Sequence, residues 1–217
     1  SGAPTQVIVL PDATHDAGFA MTSSFSTMLL TALALFDAHC DVPARLSALA
    51  DQLETLLPQF KAGPRPERVV YVGAGPLAFA AREAALKVME LSAGQMPALW
   101  DSTLGFRHGP KAFVTQGTDI TVFTSPDAPT CNYDADLAGE LRDQFPDAHV
   151  ETIGASGDID IAMPFGPAWA APLCVAAAQV RGVAWSDELG LNVDDPFSGQ
   201  STLSRVVSGV KLYPVAT

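Results

Sequence analysis

YVGAGPLAFAAREAALKVMELSAGQMPALWDSTLGFRHGPK, residues 71–111, already lays out a strand, a turn and a helix in that order. The apolar run VVYVG at 69–73 feeds a glycine turn, and a helical pattern follows from Pro76 to about Ala93. That order is the repeating unit of an α/β protein. Pro76 suits a first helical position, and Gly73 and Gly75 let backbone N–H groups come close to a ligand, which makes both candidate substrate-binding positions. The turn is not a dinucleotide fingerprint, because Leu77 and Ala78 follow Pro76 and the GxGxxG pattern is absent.

Glu83, Lys87 and Glu90 fall four and three residues apart, so they share one helix face and Lys87 can pair with either acid. Such a face is either a solvent-exposed salt-bridge ladder or a proton-transfer group, and spacing alone fits both. Further on, GFRHGPK at 105–111 brackets Arg107 and His108 between Gly105 and Gly109, and Pro110 fixes the following backbone. An imidazole held in such a turn is suited to proton transfer near neutral pH, with a carboxylate across a cleft as partner base. A structural histidine in a tight turn is the competing reading.

Working outward, VIVL at 7–10 predicts a first strand, with helices over about 19–36 and 46–60 and a turn or linker at 61–68. Further strands are predicted at 98–101, 120–124 and 150–153, and helices at 110–114, 134–145 and 169–185. Alternation of short apolar strands with amphipathic helices predicts a parallel sheet covered on both faces, with ligand loops at the strands' carboxyl ends. The stretch 168–185 is rich in small residues that suit close helix packing. It carries Arg181, and the apolar run at 28–36 is short, so neither predicts a membrane span. After residue 187 the chain is turn-rich and reads as an arm packed on its own or a partner subunit.

At 217 residues and 48% apolar content the chain can bury one substantial core. It holds 12 Lys plus Arg against 24 Asp plus Glu, a formal charge of −12, and no basic patch with interleaved aromatics. That excludes a nonspecific nucleic-acid binder. Cys40, Cys131 and Cys174 are odd in number and widely spaced, and His15, His39, His108 and His149 show no ligand spacing. Reduced packing cysteines, a cytoplasmic location and no metal are the expectation.

GAGPL at 73–77, REAALKVMEL at 82–91, DSTLGFRHGPK at 101–111, THDAGFAMTSSF at 14–25 and NVDDP at 192–196 resemble the sugar isomerase (SIS) superfamily. The match is to the second SIS half of tagatose-6-phosphate ketose/aldose isomerase-like and amino-sugar-phosphate deaminase-like proteins. The resemblance implies a three-layer αβα fold with a central, mainly parallel sheet. Residues 1–217 would form a single SIS-type unit: a leading strand and helical segment (1–62), an α/β core (63–187) and a C-terminal arm (188–217). It also implies a protein of two SIS units whose first carries a serine-rich phosphate loop. No such loop appears before Thr14, so the chain reads as a C-terminal half that lacks its N-terminal partner.

The implied activity is aldose–ketose isomerisation or isomerising deamination of a phosphorylated hexose or hexosamine, without redox cofactor or metal, in a homo-oligomer. Glu90 matches the base that moves a proton between sugar C1 and C2. Glu83 and Lys87 match the polar positions that orient the open-chain sugar, and His108 matches the histidine that assists ring opening. Thr22, Ser23 and Arg107 fall on the substrate side, and Lys211 is a weaker match to a late lysine. A noncatalytic sugar-phosphate-binding or regulatory module is the alternative that the resemblance leaves open.

Overall fold

Five parallel strands make up the sheet: β1 (Arg68–Gly73), β2 (Ala98–Ser102), β3 (Thr118–Thr124), β4 (His149–Gly154) and β5 (Ile159–Asp160). They lie in the order β2-β1-β3-β4-β5 in this computed structural model, which describes residues 6–37, 40–199, 203, 211 and 213. The helices are α1 (Ser23–Phe36), α2 (Val42–Leu56), α3 (Pro76–Leu91), α4 (Thr103–Phe106), α5 (Thr130–Gln144) and α6 (Pro167–Glu188). This is the α/β architecture with helices on both faces that the alternating pattern predicts.

The two faces hold separate cores. On one, α3 and α6 cover Val69, Tyr71, Phe123 and Ile153; on the other, α5 covers Val70, Val72, Ile120 and Val122. Alternation of these residues along β1 and β3 follows from the two-residue repeat of a strand buried on both sides. The small residues of α6 let α3 approach closely. A Cβ on Gly182 would stand 2.8 Å from Leu91 Cδ1, so the glycine leaves room for the Leu91 side chain. Cys174 is fully buried in this interface, and burial pushes its thiol up to about 12, which fits a packing residue.

One predicted element is not formed. Residues 7–10 form no strand and pair with none of the described strands, and Val7 and Val9 are exposed. The run has strand propensity, but the sheet edges are β2 and β5 and neither accepts its backbone groups. Two helix starts also move. α1 begins at Ser23 rather than near 19, because Asp16 accepts hydrogen bonds from the backbone N–H groups of Thr22, Ser23 and Ser24. α2 begins at Val42, where Asp41 accepts from the Ala44 N–H and Pro43 occupies the first turn. The helix predicted at 110–114 is a 3-10 turn, Gly109–Phe113.

The arm predicted over 188–217 lies largely outside the described residues. Its first part folds back: Phe19 N–H donates to the Asp194 carbonyl at 2.8 Å, and the Phe19 and Phe197 rings stand 4.7 Å apart. No helix among the described residues is long and apolar enough to cross a membrane.

Candidate functional site

The acids and the lysine of α3 form one cluster. Lys87 Nζ lies 3.1 Å from Glu83 Oε1 and 2.6 Å from Glu90 Oε2, and its side chain is 3% exposed. A cation that deep is not a rung of a solvent ladder. It is held between two carboxylates that keep 17% and 22% of their side-chain surface, so the cluster opens to solvent through its acids. Burial raises the pKa of Glu90; the Lys87 hydrogen bond and charge lower it; and the net shift is upward. A carboxyl poised above its ordinary range but still bonded to a cation is suited to take a proton from carbon and hand it back.

The sign of the Lys87 effect gives a test. Glu90 must be ionised to act as a base, so activity should rise with pH through its raised pKa. Lys87→Met removes the group that favours the carboxylate. The acid limb of the kcat/KM profile is then expected to move to higher pH, and a limb that stays put would show that Lys87 does not act on the base.

The glycine turn sits at the other end of α3. Gly75 adopts φ +55°, and although a Cβ there would meet nothing within 4 Å, one on Gly73 would meet the Leu77 carbonyl oxygen at 2.7 Å. Both positions therefore need glycine, Gly75 for its backbone conformation and Gly73 for space. Gly75 and Glu90 are fifteen residues apart on one helix, about 22 Å along its axis. Because α3 runs back between the parallel strands β1 and β2, Glu90 lies toward the sheet's amino end and the turn at its carboxyl end.

His108 is exposed and follows β2, also at the carboxyl end. Its turn is seated on the opposite face from α3, with Phe106 and Val114 packed against Leu137, Ala138 and Leu141 of α5. Arg107 and Lys111 are both ion-paired to Glu140 of α5. No hydrogen bond or ion pair joins His108 to the Glu83–Lys87–Glu90 cluster among the described residues. Thr22 and Ser23 stand at the start of α1, where their hydroxyls donate to Asp16 Oδ1 at 2.8 and 2.9 Å. Burial works to raise the Asp16 pKa, but bonds from Ser24, Thr22 and Ser23 outweigh it and hold the carboxyl far below the usual range. Lys211 places Nζ 5.0 Å from the Tyr213 ring centre and makes no ion pair with Glu83 or Glu90.

Several groups were not singled out from the sequence. Asp134 is fully buried, accepts from Thr103 Oγ1 at 2.6 Å and the Ser125 N–H at 3.0 Å, and ties the ends of β2 and β3 together. At the sheet's amino end a cavity of about 600 Å³ is lined by Lys61, Asp119, His149, Glu151 and Arg181, which include the pairs His149–Asp119 (3.0 Å) and Arg181–Glu151 (2.5 Å). Asp16 had a visible signal, an acid placed six to eight residues before the T-S-S run. The others depend on contacts between residues far apart in sequence. Among the described residues no group of three or more His, Cys, Asp or Glu could hold a metal ion.

No family model matches the chain. It is 39% identical over 224 residues to D-galactosamine-6-phosphate deaminase AgaS of Escherichia coli, covering 95% of this chain and 58% of that protein. It is 37% identical over 217 residues to the enzyme of the same name from Shewanella sp., covering 94% of this chain and 53% of that one. The crystal structure of tagatose-6-phosphate ketose/aldose isomerase from Escherichia coli superposes with a TM-score of 0.78 at 35% identity, over 95% of this chain and 57% of the other. The chain thus spans little more than half the length of the relatives it matches.

Proposed function

Since this chain belongs to the sugar isomerase (SIS) superfamily, we propose that it is the proton-transfer half of an aldose–ketose isomerase or isomerising deaminase acting on a hexose or hexosamine 6-phosphate. The observation that carries this reading is the upward-shifted Glu90 carboxyl bonded to the buried Lys87. In the open-chain aldose Glu90 removes the C2 proton and the electron pair moves to the carbonyl oxygen; a proton passes from O2 to O1, and Glu90, whose proton exchanges in part with solvent, delivers a proton to C1. Lys87, with Glu83 balancing its charge, stabilises the developing enediolate oxygen. With an amine at C2 the product of that shift is an iminium; water adds, ammonia leaves, and a ketose phosphate remains.

A complete site needs more than the cluster. The names of the relatives supply the substrate class, and their greater length supports a further segment that binds the phosphate. The outer surface of α1 supports the same reading. Although it is the most apolar of the helices it buries none of its residues, and Met28 and Leu35, with Met21 just before the helix, form an exposed stripe at seven-residue spacing. That stripe is the surface we assign to the partner half.

The separation of His108 from Glu90 supports a homo-oligomer in which the histidine turn of one copy serves the α3 cluster of another. Three free cysteines and a phosphorylated substrate go with a cytoplasmic location. The reading is tested by following galactosamine 6-phosphate, glucosamine 6-phosphate and tagatose 6-phosphate by NMR, with the chain alone and within the full-length polypeptide. Turnover only by the longer protein, with ammonia released from an amino sugar, is the expected result for the deaminase form. No conversion of any of the three by either protein would favour a noncatalytic binding module instead.

A further inference from the structure

The His108 imidazole makes no hydrogen bond among the described residues, yet the segment around it is gripped from one side by α5. Glu140 takes two cations at once: Arg107, with Nε 3.5 Å from Oε2, and Lys111 on Oε1. These are the residues one before and three after His108. Lys111 Nζ also donates to Gln144 Oε1 at 3.1 Å, and Gln144 Nε2 donates to Glu140 at 3.3 Å, which fixes the carboxylate's orientation. The hydrogen bond from Lys111 is the main reason the Glu140 pKa is lowered, so the carboxylate stays charged at neutral pH. Arg107 Nε is buried and has no hydrogen-bond partner, so its engagement is with this one carboxylate. One turn earlier, Thr103 is held by Asp134.

We propose that Glu140 is the positioning residue of the histidine turn, a single carboxylate that clamps both flanks of His108 and sets where its imidazole stands. The inference rests on the isomerase reading, in which His108 assists ring opening. Apolar burial of Phe106 and packing of Phe113 seat the turn on the α5 face. Backbone hydrogen bonds within the segment, from the His108 N–H to the Gly105 carbonyl and from the Lys111 N–H to the His108 carbonyl, shape the turn but do not tie its polar flanks to α5. A carboxylate of α5 that binds one cation on each side of His108 supplies that tie. The three side chains keep 13–31% of their surface, so solvent still screens the pairs and their loss is expected to cost little stability.

The test is Glu140→Ala in the full chain, read by the His108 Hε1–Cε1 NMR correlation and by turnover. The expected result is a displaced, broadened His108 resonance and a kcat lowered about 10–100-fold with KM little changed. The melting temperature should fall by about 4 °C or less. A merely structural role would lower the melting temperature and leave the kcat to KM balance of the folded fraction alone. If the alanine variant does not fold, Glu140→Gln keeps the side-chain volume while removing the charge, and the same resonance is read. An unmoved His108 resonance with kcat within about twofold of wild type, at the precision such rates carry, overturns the clamp. His108→Asn is measured alongside: full turnover there removes the catalytic role of the histidine, while the NMR result still judges whether Glu140 holds the turn.

Discussion

Glu90→Gln is expected to lower turnover by about 10²–10⁴-fold, the range that a general base contributes, with almost no change in folding. Glutamine keeps the shape of the side chain and an oxygen for Lys87, but it cannot accept the C2 proton. The buried apolar face of α3 is made by Leu77, Ala80, Ala81, Ala84, Ala85, Val88 and Leu91, and the change replaces none of these side chains. Thermal unfolding and turnover of the two proteins, measured side by side, separate the cases. A Gln variant that unfolds early would mean that Glu90 is a structural partner of Lys87. One that folds and turns over normally would leave α3 without its base.

The second large effect is a recovery. Glu90→Gln and His108→Ala, each inactive alone, are expected to regain activity when mixed and allowed to exchange subunits. In a two-fold dimer built from random halves, about one quarter of the sites are intact, and that is the predicted fraction of wild-type turnover. The reason is geometric. Glu90 lies toward the sheet's amino end on the α3 face, whereas His108 follows β2 at the carboxyl end and is packed with α5 on the other face. A site assembled within one chain has no intact copy in such a mixture, so continued inactivity after verified exchange would rule out sharing between copies.

What the sequence reveals, and what it hides, follows from how local each feature is. The strand–turn–helix unit at 69–91 is legible because apolar run, glycine turn and helix period are all local patterns. The cluster of Glu83, Lys87 and Glu90 is legible as a shared face, but its burial is not, since spacing says nothing about what covers a helix. Val7 to Leu10 shows the converse. Its residues favour a strand, but a strand needs a neighbour, and none of the described strands lies beside it. The sequence misplaces the start of α1 because Phe19 and Ala20 extend the apolar pattern, while the true cap is a carboxylate reaching in from Asp16.

The features of α5 are beyond local reading altogether. Asp134 meets Thr103 across 31 residues and Glu140 meets Lys111 across 29. Nothing within a helical window distinguishes them from the other acids of that helix. The histidine turn can be recognised from its glycines and proline, but its place on the face away from α3 is a property of the sheet's topology. The glycine turn, the helix cluster and the histidine turn are adjacent in sequence, yet the parallel crossover sets Glu90 and His108 at opposite ends of the sheet.

On the proposed mechanism the α3 cluster moves a proton at the sugar's C2. The most direct measurement is incorporation of solvent deuterium into a hexose or hexosamine 6-phosphate at C1 and C2, followed by NMR in D2O with the full-length protein and its Glu90→Gln variant. Proton transfer by this cluster predicts deuterium entering during turnover by the wild type and none above background with the variant. Exchange at the same rate in both proteins would contradict it.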